Sequence, residues 1–121
     1  MIIPSIVELK AFDPARFCAQ TLAQTSHSKT VLVSLEPGQS IPVHHPGIDL
    51  TLVILEGHAT LVAGEEEFKQ AGAGAVIIAH AGQARGIRAD TRTVALVIVS
   101  PPPTAQDHRE VAEHLSKGTW R

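Results

Sequence analysis

The chain has little of the residues that mark several classes of protein. Its 121 residues include a single cysteine, Cys18, so no disulfide can form within the chain and a reducing compartment is the simplest expectation. Lys and Arg number 10 against 12 Asp and Glu, the formal net charge is −2, and no basic stripe is present. The electrostatic footprint of a nucleic-acid binder is therefore missing, and we expect no nucleic-acid partner.

Long hydrophobic runs are missing as well. No apolar stretch approaches the roughly 18 residues that a membrane-spanning helix requires. The first ten residues contain Glu8 and Lys10 and offer no adequate apolar core for a signal peptide. We therefore expect a cytoplasmic protein without a membrane partner.

Aromatic residues make up only 3% of the chain, and tyrosine is absent. A chain of this length is nevertheless long enough to bury a hydrophobic core, and it is of ordinary size for one domain. The core must then be built from Val, Ile, Leu and Ala. We predict a single domain over residues 1–121.

What the sequence does contain is a series of short extended segments separated by turn residues. Near-alternating β-branched residues predict strands, and the turn signals between them recur at intervals of roughly 8 to 12 residues. This spacing is typical of an all-β sandwich or barrel rather than of βαβ units. The predicted strands cover residues 29–35, 41–45, 50–55, 59–63, 66–70, 75–79, 84–88 and 93–100, so the barrel core spans about 29–100.

The two ends of the chain have helical signals instead. Asp13-Pro14 resembles an N-cap followed by a proline at the first helical position, which predicts a short helix through about Leu22. Thr104 and Asp107 resemble a capping box. They predict a C-terminal helix over about 104–117 that ends at Gly118 and packs on the outside of the barrel.

Two of the predicted strands lack a polar face. LTLVIL at 50–55 is apolar at every position but Thr51, and VALVIV at 94–99 is apolar on both faces. A sheet with one face in water would alternate apolar and polar residues. Either the terminal segments or a partner subunit must therefore cover the second face. We expect a homodimer, because two-fold pairing is the commonest oligomer and edge strands need cover.

Glycine-framed motifs along this stretch resemble those of the cupin superfamily. Gly38, five residues, His44 and, after the letters VILE, Gly57 resemble the first cupin motif: Gly, five residues, His-x-His, three or four residues, Glu, six residues, Gly. Gly74, five residues, His80 and then Arg85 resemble the second: Gly, five residues, Pro-x-Gly, two residues, His. The resemblance covers roughly residues 30–100. It implies a cupin-type jelly-roll β-barrel, often homodimeric, with a divalent metal held inside by three His and one Glu.

The sequence departs from this family pattern at the implied metal ligands. Leu50 stands where the motif has Glu, and Arg85 stands where the second motif has its His. A guanidinium about 5 Å from a divalent cation would repel it by roughly 6 to 7 kcal/mol at an effective dielectric constant near 20. A metal bound as in the parent family is therefore not expected, and the expected cofactor is none.

The histidine pair leaves two registers open. Either His44 is the first histidine and Pro46 replaces the second, or His45 is the second and Val43 replaces the first. Side chains of adjacent strand residues point to opposite faces, so His44 and His45 cannot both reach one ion unless Pro46 forces a bulge. Under either register one ligand of the implied set remains.

Two functions from different classes follow. In the first, the chain is a metal-free binding or sensing barrel for a small molecule, with apolar walls and a few polar anchors. A desolvated Arg85 would take a carboxylate or phosphate there, unless it forms an internal ion pair with Asp49 or Glu56. The ligand-binding residues predicted for this function are Arg85, His44, His45, Leu50, Val43 and Leu52.

In the second, the chain is a metal-dependent cupin enzyme of the dioxygenase or isomerase type. It would use an atypical set of His44, His45 and His80 to hold a divalent transition metal: Zn, Ni, Mn or Fe. Cys18 and the serines lie in no motif for nucleophilic catalysis, and no phosphate-binding loop is present. The first function is the one we favour.

Overall fold

Nine β-strands dominate the computed structural model, which describes all of residues 1–121. The strands are β1 (Cys18–Gln24), β2 (Lys29–Leu35), β3 (Ser40–His44), β4 (Asp49–Glu56), β5 (Ala59–Ala63), β6 (Glu66–Ala71), β7 (Val76–Ala79), β8 (Arg85–Ala89) and β9 (Thr93–Ser100). From β2 onward each agrees with its predicted strand to within one residue at either end. None of the helical segments has the length and hydrophobicity that a membrane span requires.

The strands form two antiparallel sheets. One sheet has the order β1-β2-β9-β4-β7 and the other has the order β3-β8-β5-β6, so the chain crosses repeatedly between them. The predicted all-β jelly-roll architecture is confirmed. Between the sheets lies one cluster of 16 buried residues made only of Val, Ile, Leu and Ala, as the scarcity of aromatic residues requires.

Gly57 occupies the turn between β4 and β5, where no other residue fits. Its φ is +87°, and a Cβ atom built there would lie 1.9 Å from the carbonyl oxygen of Arg92. Both the left-handed backbone and the close approach of a second chain segment therefore demand glycine. This turn holds the β4–β5 connection against the loop that leads into β9.

The helix predicted from Asp13 through about Leu22 is wrong. The Asp13 carboxylate accepts a hydrogen bond from the Ala15 N–H at 2.8 Å, which closes a local turn instead of capping a helix. The chain then continues as β1, which pairs antiparallel with β2. Backbone pairing with the edge of β2 outweighs the weak local helix signal. The one helical segment near the N-terminus is a single 3-10 turn at Ile6–Leu9.

The C-terminal helix is confirmed. A 3-10 turn at Ala105–His108 leads into α1 (Arg109–Lys117), and Gly118 ends the helix with a φ of +69°. The Asp107 carboxylate accepts hydrogen bonds from the backbone N–H of Thr104 at 2.8 Å and from its hydroxyl at 3.1 Å. The helix packs beside β3, where the Val43 N–H donates to the Trp120 carbonyl at 2.7 Å.

The N-terminal segment covers part of the outer face of the five-stranded sheet. The Ala11 N–H donates to the Ser34 hydroxyl at 3.2 Å, and Lys10 forms an ion pair with Glu56 at 2.9 Å. Leu32 and Ser34, whose side chains lie on this face of β2, are fully buried as a result. Terminal cover, one of the two predicted alternatives, is therefore present, but only over part of the face.

The rest of that face is exposed and apolar. Val76 and Ile78 on β7 are 49% and 68% exposed, and Ile98 on β9 is 39% exposed. The strand register places Ile78 and Ile98 in one row across the sheet, joined through Thr51 of β4. No charged side chain interrupts this row. Val76 pairs with Val53 in the neighbouring row, and we call Val76, Ile78 and Ile98 together the apolar sheet face.

Candidate functional site

A cavity of about 230 Å³ lies inside the barrel, between the two sheets. Most of its lining is aliphatic and comes from the core-facing positions of the strands. A small number of polar groups interrupt this apolar surface, which is the usual composition of a small-molecule site. The polar and charged residues of the lining are Thr21, Lys29, His44, Arg85, Asp107 and His108.

All four positions at which the motifs place metal ligands line this one cavity. They are held by His44, Pro46, Leu50 and Arg85. His44 and Pro46 lie in the cavity together, so the structure selects the register in which His44 is the first histidine of the motif and Pro46 replaces the second. Only His44 among the four has a side chain that ligates metals.

A β-bulge decides which histidine faces inward. The pairing of β3 with β8 shifts between Ile41 and His44, so these two residues both line the cavity although they are three positions apart. His45 follows the end of the strand and lies outside the cavity, where its backbone N–H and its Nδ1 contact the Glu110 carboxylate at 2.9 and 3.0 Å. Val43 is buried but does not line the cavity either.

The ring of His44 has a defined tautomer. Its Nδ1 lies 2.8 Å from the carbonyl oxygen of Pro42, and because a carbonyl only accepts, Nδ1 must carry the proton. Burial lowers the pKa of His44 below its ordinary value of 6.5, and the charge of Arg85 lowers it further, against the opposing effect of the Pro42 hydrogen bond. His44 is therefore neutral at pH 7, and its Nε2 offers a lone pair to which no protein group donates.

The Arg85 guanidinium is the buried charge of the cavity. The residue is only 3% exposed. Its Nη2 donates to the His80 carbonyl at 2.8 Å and its Nε donates to the Gln83 carbonyl at 3.3 Å. Nη1 is buried and has no hydrogen-bond partner at all. It is the only buried side-chain nitrogen or oxygen in the chain left in this state.

No carboxylate neutralises Arg85 by direct contact. The two predicted internal partners bond elsewhere: Glu56 pairs with Lys10, and the Asp49 carboxylate accepts from the Ala81 N–H at 2.9 Å. Burial lowers the pKa of Arg85, while the more distant charges of Asp49 and Asp107 raise it. A guanidinium does not lose its proton in proteins, so the positive charge remains and is unpaired.

Asp107 and His108 also line the cavity, and the sequence pattern did not identify them as site residues. They come from the C-terminal segment, which packs beside β3 and contributes to the lining of the cavity. The Asp107 carboxylate is occupied by the N–H groups of Thr104 and Gly47, and the Thr104 hydrogen bond is the main reason that its pKa is lowered. Its capping-box position was the only signal in the sequence, and that signal predicts a helix end rather than a binding group.

The residues present do not fit the divalent metal that the family pattern implies. His44 lines the cavity, whereas His45 and His80 lie in a shallow hollow on the outer surface, so the three histidines do not converge. No group of three or more His, Cys, Asp or Glu side chains in the chain is arranged to hold a metal ion. Leu50 and the cationic Arg85 occupy the space that further ligands would need.

No protein-family model and no curated protein sequence matches this chain. Solved structures do. The TT1209 protein of Thermus thermophilus is 31% identical, with a TM-score of 0.77 over 85% of this chain and 100% of that one. An RmlC-like cupin protein from Desulfovibrio desulfuricans is also 31% identical, with a TM-score of 0.73 over 84% of this chain and 98% of that one.

A protein with a double-stranded β-helix domain from Klebsiella pneumoniae is 26% identical, with a TM-score of 0.70 over 82% of this chain and 84% of that one. The 31% identity to the RmlC-like cupin protein extends over most of both chains, and the folds agree over the same residues. The glycine-framed motifs, the two-sheet jelly roll and the inward His44 and Arg85 positions agree with the same assignment. The chain belongs to the cupin superfamily.

Proposed function

We propose that the chain binds a small carboxylate inside the barrel and acts as a binding or sensing module. The observation that supports this most directly is the buried, unpartnered Nη1 of Arg85, in a residue that lines the cavity. A buried donor without a partner costs roughly 1 to 3 kcal/mol, and more when it is charged. A carboxylate in the cavity would supply both the missing acceptor and the missing negative charge.

The size of the cavity limits the ligand. An apolar protein cavity of about 150 Å³ can hold benzene, so a cavity of about 230 Å³ has room for a somewhat larger molecule. That space suits a short aliphatic or single-ring acid. The walls around it are mostly aliphatic, and Arg85 is the one buried cation among them, with a single unpartnered nitrogen, so burying one negative charge costs less than burying two. A monocarboxylate with an apolar tail therefore suits the site better than a phosphate.

The alternative of a metal-dependent enzyme has no such support. It requires a set of converging ligands, and of its three histidines only His44 lines the cavity. His45 bonds to Glu110 on the outside, and the His80 side chain is exposed. Binding of a carboxylate requires only Arg85, which lines the cavity.

Calorimetric titration with 4-methylpentanoate tests the proposal, and 4-methylpentanamide serves as its uncharged counterpart. We expect the acid to bind and the amide to bind at least tenfold more weakly, because charge-assisted hydrogen bonds are about twice as strong as neutral ones. Arg85→Met should abolish binding of the acid. Arg88→Met is the matched control, since Arg88 lies on the same strand but stacks on Trp120, 5.1 Å from the ring centre, outside the cavity.

Equal binding of the acid and the amide would contradict a carboxylate site. Binding of the acid that survives Arg85→Met would show that another group recognises it. If Arg88→Met abolished binding as Arg85→Met does, the loss would be an effect of the net charge of the protein. Arg85 would then not be the residue that binds the carboxylate.

A further inference from the structure

The residue next to Arg85 in the cavity is His44, and a simple carboxylate forms no hydrogen bond with its ring. His44 lies directly opposite Arg85 in the antiparallel β3–β8 pair, and both side chains line the cavity. Directly opposed residues have Cβ atoms about 4.5 to 5.5 Å apart. One small ligand can therefore contact both groups at once.

The two groups have opposite hydrogen-bonding capacities. The guanidinium of Arg85 only donates. The Nε2 of His44 only accepts, because Nδ1 holds the proton in its bond to the Pro42 carbonyl. A carboxylate satisfies Arg85 but has no hydrogen to give to Nε2. A ligand that forms hydrogen bonds with both groups must therefore carry a hydrogen-bond donor close to its carboxylate.

The charges of the lining select among possible donors. Arg85 and Lys29 are cationic, so an ammonium group would meet repulsion. The one carboxylate of the lining, Asp107, already accepts from Thr104 and Gly47. A neutral hydroxyl group meets no repulsion. We infer that the ligand is a short apolar hydroxy acid, whose carboxylate binds Arg85 and whose hydroxyl donates to Nε2 of His44.

This inference rests on the proposed carboxylate site, and its test compares two acids that differ by one hydroxyl group. We expect 2-hydroxy-4-methylpentanoate to bind the wild-type protein about three- to tenfold more tightly than 4-methylpentanoate, the worth of one ordinary net hydrogen bond. In His44→Ala the ratio of the two affinities should fall to about one. The affinity for 4-methylpentanoate should change little, because that acid makes no bond to Nε2.

His45→Ala is the matched control, because it removes the adjacent histidine, which lies outside the cavity. It should keep the full preference for the hydroxy acid. His44→Phe retains the ring volume without an acceptor, and it should lose the preference as His44→Ala does. If one of the two His44 variants fails to fold, the other still tests whether the preference for the hydroxy acid depends on His44.

Equal affinity of the wild-type protein for the two acids would overturn the hydroxy-acid inference and leave the carboxylate proposal standing. A preference that persists in both His44 variants would overturn it too, as would tighter binding of leucine than of its hydroxy analogue. Failure of both acids to bind, or binding that is insensitive to Arg85→Met, would instead refute the proposed function itself.

Discussion

His44 and Arg85 are cross-strand partners at the junction of β3 and β8, and they present an unused acceptor and an unused donor to the same cavity. Both stand at positions that hold metal ligands in the family pattern. Arginine stands where the family pattern has a histidine. Its positive charge attracts an anion to this part of the cavity and repels a cation.

The first prediction concerns the stability cost of the unpaired charge. Replacing a buried charge by an apolar side chain of similar volume is often neutral or stabilising. We expect Arg85→Met, without ligand, to change the free energy of unfolding by no more than about 1 kcal/mol, or to raise it. Urea unfolding measures this. A loss of about 3 kcal/mol or more would show that the folded protein already compensates the guanidinium.

The second prediction concerns pH. Burial lowers the pKa of His44 in the folded protein, with Arg85 and His108 acting in the same direction and Glu110 opposing them. The unfolded chain takes up a proton near pH 6.5, while the folded protein does so only at lower pH. Acidification through this window therefore favours unfolding, by at most about 1.4 kcal/mol per pH unit. Above pH 6.5 the effect is absent.

Chemical denaturation of the wild-type protein and of His44→Phe at a series of pH values isolates this contribution, because the two proteins share every other titratable group. The wild-type protein should lose stability relative to the variant as the pH falls below about 6.5. A difference between the two proteins that does not vary with pH would contradict it.

The third prediction concerns metals. The wild-type protein should show no rise in melting temperature with Zn²⁺, Ni²⁺, Mn²⁺ or Fe²⁺, because only a ligand that prefers the folded state stabilises it. Since Pro46, Leu50 and Arg85 line the cavity together with His44, the triple variant Pro46→His, Leu50→Glu, Arg85→His should bind metal and gain melting temperature. Arg85→His alone should gain little. A metal held stoichiometrically by the wild-type protein would contradict the prediction.

The fourth prediction separates two costs of replacing a motif glycine. Gly38 and Gly57 both have positive φ, at +85° and +87°, but a Cβ at Gly38 meets nothing within 4 Å. Gly38→Ala should therefore cost only the backbone strain, about 1 to 2 kcal/mol. Gly57→Ala adds the collision with the Arg92 carbonyl and should cost several times more or prevent folding. Similar melting temperatures for the two variants would refute this reason for Gly57.

The fifth prediction concerns assembly. We propose that the apolar sheet face is covered by a second copy of the chain, since it is uncharged and can pair with itself across a two-fold axis. Light scattering should give twice the chain mass. Ile78→Asp should give a monomer, because a dimer would bury an unpaired charge. Phe68→Asp, at a residue 67% exposed on the opposite sheet, should leave the mass doubled. A wild-type monomer would exclude the dimer.

How much of the site could be predicted from the sequence differs from residue to residue. Arg85, His44, Leu50 and Leu52 were expected in a cavity and line it. His45 and Val43 were expected there and lie outside, because the bulge between Ile41 and His44 breaks the strict alternation on which the expectation depended. A bulge is set by the pairing of two strands, and neither strand alone shows it.

The sequence by itself determined the eight strands from β2 to β9, the C-terminal helix, the aliphatic core and the residue types that stand at the four motif positions. Local alternation and turn glycines predict the strands, and capping residues predict the helix. All of these signals act within a few positions of the chain. The tertiary structure alone decided that residues 18–24 form a strand, that Asp107 and His108 reach the cavity, and that Nη1 of Arg85 lacks a partner. Each of these depends on which distant segments meet, because backbone pairing and burial are satisfied between segments that the sequence separates by tens of residues.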